Sequence, residues 1–327
     1  MKTFDYVRPR TVEEASALAE EGGSAFLAGG TTQVDLMRQR VLTPTRLIDL
    51  QDLPLRGVEH TGTGIRVGAL VSMEELACHP AVVEHQPLVA QALLAGASPQ
   101  LRHAATIGGN LLQRTRCGYY RDPSVAACNR RTEGSGCAAL GGNHAGHAVL
   151  GTSDSCIATH PSDLAVALVA LDATATLRGV EGERTLLVRD LYRLPGSTPH
   201  LEHDLRPGEL ITGITLPVLP HGTRTSYLKV RHRASYEFAL ASCAAAVTLV
   251  DGVVDRVHLA IGGVATVPWK CDAGEAILRG GPYTADSIDR AAAAAVDGAV
   301  PRADNGYKVV LARNTTRRTL DDLRSGQ

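Results

Sequence analysis

The chain has 327 residues, 44% of them hydrophobic but only 4% aromatic, with 33 Lys and Arg set against 34 Asp and Glu. A net charge of −1 argues against nucleic acid as the main partner, which demands a basic surplus, and no run of about 18 apolar residues offers a membrane-spanning helix. The opening stretch 1–10 has neither an apolar segment nor a twin-arginine pair, so no export signal is expected; a cytoplasmic location follows, with co-export on a signal-bearing partner as the alternative.

Residues 1–55 read as a small α/β unit. Thr11-Val-Glu-Glu has the capping-box pattern and opens a helix that Gly22-Gly23 closes. Ala25-Phe-Leu is a short strand running into Ala28-Gly-Gly-Thr-Thr, a helix follows over 33–40, and Arg46-Leu-Ile-Asp-Leu is another strand. Residues 56–220 form a larger middle portion. Gly64-Ile-Arg-Val-Gly-Ala alternates as a strand, Ser72-Met-Glu-Glu caps a helix, and 87–96 is helical. Pro161-Ser-Asp163 opens an apolar helix to Leu171, and 173–178 is a strand. From 223 to 327 the character changes to a separate α+β domain. Strands are expected at 225–231, 244–249 and 253–261, the last two joined at Asp251-Gly252. Helices follow over 286–296 and 309–323. The expected class for the whole chain is α+β.

Two glycine turns stand out. Ala28-Gly29-Gly30-Thr31-Thr32 follows a strand and precedes a helix, so its backbone N–H groups can converge on an anion, with two hydroxyls beside them. It is neither the Gly-x-Gly-x-x-Gly fingerprint nor a phosphate loop with its lysine. One such turn often serves geometry alone. A second, Ala105-Thr-Ile-Gly-Gly-Asn110, suits a diphosphate gripped from two sides, as an extended dinucleotide requires.

Between the second turn and Pro161 lies a glycine-rich stretch, 113–160, with little periodicity. An irregular insertion of that length is usually functional. It holds four of the seven cysteines, Cys117, Cys128, Cys137 and Cys156, at gaps of ten, eight and eighteen residues. Four thiolates serve an iron–sulfur cluster or a structural zinc. Zinc sites usually bring close Cys-x2–4-Cys pairs, whereas these gaps bring each ligand from its own loop and suit a larger [4Fe–4S] cube. Arg114, Arg116, Arg121, Arg130 and Arg131 would favour deprotonated thiols. Zinc, two disulfides and four unconnected thiols remain as alternatives. The odd cysteine count fits a reducing compartment better than a disulfide framework.

Ala28-Gly-Gly-Thr31, Ala105-Thr-Ile-Gly-Gly-Asn110, Pro161-Ser-Asp163 and Gly208-Glu-Leu-Ile-Thr-Gly-Ile-Thr-Leu-Pro217 together resemble the FAD-binding medium subunit of the molybdenum hydroxylases, the xanthine dehydrogenase and carbon monoxide dehydrogenase family. The likeness spans essentially the whole chain, including Tyr227-Leu-Lys229 and Glu237-Phe-Ala-Leu-Ala. The cysteine stretch is similar to the iron–sulfur insertion of the aldehyde dehydrogenase and 4-hydroxybenzoyl-CoA reductase flavoproteins, and Gly109-Asn-Leu-Leu-Gln-Arg-Thr-Arg-Cys117 and Ile157-Ala-Thr-His-Pro-Ser-Asp163 most resemble the periplasmic-type aldehyde oxidoreductase subunits.

The resemblance implies a two-part FAD-binding domain of the vanillyl-alcohol-oxidase type, followed by a carbon monoxide dehydrogenase-type C-terminal domain. It implies FAD diphosphate contacts at Ala28, Gly29, Gly30, Thr31 and Thr32, with Thr106, Gly109 and Asn110 on the other side. Asp163 would accept from sugar or ribityl hydroxyls, and Ile211 and Lys229 would lie near the isoalloxazine. Lys229 would stabilise the anionic reduced ring; the plainer readings are a strand lysine for Lys229 and an N-cap for Asp163.

The expected function is electron transfer. FAD and the [4Fe–4S] cluster would pass electrons from a small partner with two [2Fe–2S] clusters to an external acceptor, while a large molybdenum-cofactor partner oxidises an aldehyde or aromatic. A stand-alone flavin oxidoreductase and a zinc-stapled scaffold are the rivals. His144, His147 and His160 are expected to be polar packing. Cys78, Cys243 and Cys271 lack partners at ligand spacing. Tyr119 and Tyr120 are candidates to cover a cofactor, and Trp269 reads as an anchored core residue.

Overall fold

The computed structural model describes residues 1–326. Strand β1 (Asp5–Val7), helix α1 (Val12–Glu20), strand β2 (Ser24–Leu27), helix α2 (Gln33–Arg38) and strand β3 (Arg46–Asp49) build a three-stranded parallel sheet of order β1-β3-β2. Thr11 caps α1 as expected, its hydroxyl accepting from the Glu14 N–H at 3.1 Å. The box is not closed in the usual way, because the Glu14 carboxylate takes the Arg10 N–H instead, at 2.8 Å.

Strands β4 (Val58–Thr61) and β5 (Gly64–Gly68) form a hairpin, followed by helices α3 (Met73–Cys78), α4 (Pro80–His85), α5 (Pro87–Ala95), α6 (Pro99–Ala104) and α7 (Ile107–Leu111). Pro80, Pro87 and Pro99 each occupy the first turn of a helix, where a missing N–H and a preset φ cost nothing. The stretch 113–160 contains only α8 (Gly118–Arg121) and a 3₁₀ turn at Ala138–Leu140. Helix α9 (Asp163–Ala170) is buried along its whole length. Ser162, not Asp163, is its N-cap, the hydroxyl accepting from the Ala165 N–H at 3.0 Å. Strands β6 (Thr174–Gly179), β7 (Gly182–Leu187) and β8 (Leu210–Pro217) complete a five-stranded antiparallel sheet of order β4-β5-β8-β6-β7.

The C-terminal part is a four-stranded antiparallel sheet, β12-β11-β10-β9, from β9 (Arg224–Val230), β10 (Ala241–Val250), β11 (Val253–Gly262) and β12 (Trp269–Lys270). Asp251 and Gly252 turn the β10–β11 hairpin with φ of 51° and 79°, the doubly positive geometry that an Asp-Gly pair favours. Helices α10 (Asp272–Leu278), α11 (Ala285–Ala294) and α12 (Tyr307–Ser325) complete the domain.

β10 joins the parts. Side chains alternate across a strand, so Ala244 and Ala246 enter the large core with α5 and α9, while Cys243, Ala245 and Val247 face the C-terminal core. Small residues let helices approach both faces closely, which is how a chain poor in aromatics reaches native packing density. Trp269 lies partly buried against the C-terminal core. Among the described residues, no helix is long and apolar enough to cross a membrane.

Candidate functional site

The two glycine turns meet. Gly29 faces the Ala104 carbonyl so closely that a Cβ would collide with it and with the Ala105 Cα. Gly30 has φ +73°, left-handed backbone that a β-branched residue resists. Thr106 caps α7, its Oγ1 accepting from the Gly109 N–H at 3.2 Å. The second turn is therefore the first turn of a helix, which two glycines had hidden from propensity reasoning. Gly108 tolerates no larger side chain easily, since a Cβ there would stand 3.0 Å from that of Ala69.

Both turns border a cleft of about 510 Å³, within the usual range for small-molecule sites. Of the residues expected to bind a cofactor, Thr31, Thr32, Gly109, Asn110, Asp163 and Lys229 line it. Ala28, Gly29, Gly30 and Thr106 stand immediately behind in the same turns, with the Ala28 carbonyl held by Gln51 Nε2 at 2.7 Å. Ile211 is elsewhere: it is a buried residue of β8 in the large core, outside the cleft wall.

The cleft floor is a buried charge pair. Lys229 Nζ donates to Asp163 Oδ2 at 2.8 Å and to the Ala95 carbonyl at 3.1 Å, while Tyr227 OH donates to Asp163 Oδ1 at 2.7 Å. Burial first, then the adjacent Asp163 carboxylate, pushes the Tyr227 phenol well above its usual pKa, so it stays a donor. Ser162 Oγ donates to Asn110 Oδ1 at 2.5 Å, tying α9 to α7.

The C-terminal domain supplies a wall that sequence reasoning did not assign to the cleft. Arg233, Tyr236 and Phe238, in the loop between β9 and β10, line it together with Lys229. Arg116 spans the mouth, its guanidinium 4.7 Å from the Phe238 ring centroid and 3.9 Å from Asp35. Burial, then repulsion from Arg121, lowers the Arg116 pKa to about 10. The only signal in the sequence was Glu237-Phe-Ala-Leu-Ala, noted there for its resemblance alone.

The four expected cysteines come together. Cys117, Cys128, Cys137 and Cys156 line one small cavity with Tyr119, Tyr120 and His147, and all seven cysteines of the chain are free. Cys128 and Cys137 face each other across an isolated antiparallel bridge. Cys117 and Cys128 pack with Tyr120 on Leu36 of α2, the helix whose N-terminal end borders the cleft. Among the described residues, no three His, Cys, Asp or Glu side chains converge as a single metal ion requires. The thiols surround a space instead of meeting at a point.

Charge is arranged around that space. Arg130 Nη2 lies 3.7 Å from Cys156 Sγ, and Arg130 is ion-paired to Glu202, which also pairs with Arg114. Arg131 Nη1 donates to the Tyr119 and Tyr120 carbonyls at 2.8 Å each. Burial pushes the Cys117 thiol up to about 11 and also raises Cys137. His147 Nε2 is 3.2 Å from Cys117 Sγ; burial lowers that histidine to about 4, so its ring is neutral near pH 7. His144 and His160 are polar packing: His144 accepts from the Asp304 N–H at 3.2 Å, and His160 Nδ1 from Ser162 at 3.3 Å. From the C-terminal domain, Asn305 Nδ2 and Lys308 Nζ reach the carbonyls of Ala148, at 3.1 Å, and Gly146, at 3.0 Å.

The chain resembles known proteins along its full length. Residues 2–219 match the FAD binding domain in molybdopterin dehydrogenase, and residues 226–323 match the CO dehydrogenase flavoprotein C-terminal domain. The aldehyde oxidoreductase FAD-binding subunit PaoB of Escherichia coli is 46% identical over 329 residues, covering 99% of each chain. The carbon monoxide dehydrogenase medium chain of Afipia carboxidovorans is 28% identical, covering 98% of this chain and 96% of that protein. A solved carbon monoxide dehydrogenase from Oligotropha carboxidovorans superposes with a TM-score of 0.78 at 26% identity, over 99% of this chain and 98% of that one. With the paired glycine turns at one cleft and the strand-rich C-terminal domain closing it, the chain belongs to the FAD-binding medium subunits of the molybdenum hydroxylase family.

Proposed function

We propose that this chain is the FAD- and [4Fe–4S]-carrying electron-transfer subunit of a molybdenum-dependent aldehyde oxidoreductase. It would work beside a large molybdenum-cofactor subunit and a small subunit with two [2Fe–2S] clusters, and would hand electrons to an external acceptor. The likeness to the Escherichia coli aldehyde oxidoreductase subunit supports the aldehyde class. An odd count of seven cysteines suits a reducing compartment better than a disulfide framework, and on that ground we place the chain in the cytoplasm.

The cleft suits FAD in shape and polarity. Backbone N–H groups of 29–32 would hold one side of the diphosphate, with Thr106, Gly109 and Asn110 on the other. Asp163 is set to accept from hydroxyls and Lys229 to face an anionic ring edge, while Tyr236 and Phe238 cover the mouth. Bound FAD supplies exchange of electrons in pairs or singly. The three carboxylates that line the cleft are already engaged: Asp163 with Lys229 and Tyr227, Asp35 with Arg121, and Glu237 with the Arg233 N–H. That favours the wire over the stand-alone oxidoreductase.

The observation that carries the iron–sulfur reading is the ring of four thiols around one cavity. Cys117, Cys128, Cys137 and Cys156 are the full donor set for a four-iron cube, which supplies one-electron exchange. Zinc would need the sulfurs to close on a point at about 2.3 Å, and among the described residues no three such ligands converge on one ion. The test is the anaerobically purified chain: flavin bands with a broad brown shoulder, and iron with acid-labile sulfide at about four each per chain. A colourless protein with stoichiometric zinc would end the proposal.

A further inference from the structure

The cysteine cavity has an unbalanced charge built against it. Arg130 comes from the turn after Cys128, and its side chain is only 8% exposed. Its Nη2 points at Cys156 Sγ, 3.7 Å away. The guanidinium is paired with Glu202, which lies outside the cysteine stretch and is itself 11% exposed. Glu202 has a second arginine, Arg114, whose guanidinium lies 5.3 Å from the ring centroid of Tyr120, a wall of the same cavity. Two cations are thus set against one carboxylate, and the cluster of charges is largely screened from water.

We propose that Arg130 is a positioning residue that raises the reduction potential of the group bound by the four cysteines, with Glu202 as its opposing weight. The inference rests on the iron–sulfur reading above. One-electron reduction of a four-thiolate cluster adds a unit of negative charge with no proton required, so the reduced form gains more from a neighbouring cation than the oxidised form does. Hydrogen bonds to cluster sulfurs and local net charge are the levers that tune such potentials. At low effective dielectric these charges act strongly. A purely structural Arg–Glu–Arg sandwich would have no need to aim Nη2 at a sulfur.

The experiment is an EPR-monitored potentiometric titration of the purified chain, with iron and acid-labile sulfide measured on each sample. Arg130→Gln should lower the midpoint potential and Glu202→Gln should raise it. Opposite shifts from two partners of one ion pair are what charge produces; a packing defect would move both the same way. Should Glu202→Gln fail to load iron, Arg114→Gln supplies the second point, with a downward shift smaller than that of Arg130→Gln. Unchanged potentials at wild-type iron content, or shifts of the same sign for Arg130→Gln and Glu202→Gln, overturn this inference and leave the cluster standing. A wild-type chain without acid-labile sulfide overturns the cluster and this inference together.

Discussion

Lys229 Nζ sits 2.8 Å from Asp163 Oδ2, and the two side chains are 3% and 9% exposed. The pair brings a strand of the C-terminal domain onto the first turn of α9, and Tyr227 OH completes the carboxylate's partners at 2.7 Å. A buried pair contributes little net stability but costs heavily when one partner is removed. Lys229→Met should therefore destabilise the flavin-free chain by about 3–5 kcal/mol in a urea titration. Adding Asp163→Asn to that variant should recover a large part of the loss. An additive double mutant would show the pair to be uncoupled.

Gly29 tests the glycine cradle. Gly29→Ala places a methyl against the Ala104 carbonyl, which must push the two turns apart. Flavin co-purifying with that variant should fall to background while circular dichroism stays near wild type. Full flavin occupancy would mean the diphosphate lies elsewhere.

Cys128 is buried between α2 and Tyr120, so its sulfur is held by packing before any ligand arrives. Cys128→Ser is nearly isosteric but binds iron poorly. Iron per chain should drop to background, and the 113–160 stretch should become sensitive to limited proteolysis. Unchanged iron would remove Cys128 from the ligand set.

Lys308 offers a pH test. It is 1% exposed, donating to the Gly146 carbonyl at 3.0 Å and the Gly263 carbonyl at 2.7 Å. Burial lowers its pKa from 10.5 to about 8. Between those values the unfolded chain holds a proton that the native chain has released, so stability rises with pH across the window. Below it both states are charged and the dependence vanishes. The stability of wild type minus that of Lys308→Met should thus be flat below pH 8 and climb from pH 8 to 10.5. A flat difference throughout would place water around the ammonium.

Local signals were legible in the sequence where one residue decides the geometry. Thr11 and Ser72 cap their helices, and Asp251-Gly252 turns its hairpin. The helices at 80–85 and 99–104 were missed because six residues are too short to show a period, although proline at the start marked both. Lys229 could be placed only by resemblance, since its partner Asp163 is 66 residues away in sequence. Arg116 on Phe238, and Glu202 between two arginines, depend on contacts that no local pattern carries. The cysteines were legible as a set because their residue type announces the chemistry; the five arginines around them were legible by position, but not that Arg130 is the one lying against Cys156 Sγ.

The cysteine stretch is fastened from behind by residues that come very late in the chain. Asn305 and Lys308 hold the carbonyls of Ala148 and Gly146, and the Asp304 amide meets His144. A nascent polypeptide on the ribosome therefore exposes its four thiols well before it has made the clasp that closes over them. That interval leaves the thiols open to solvent during synthesis, and it ends when the last helix emerges and docks.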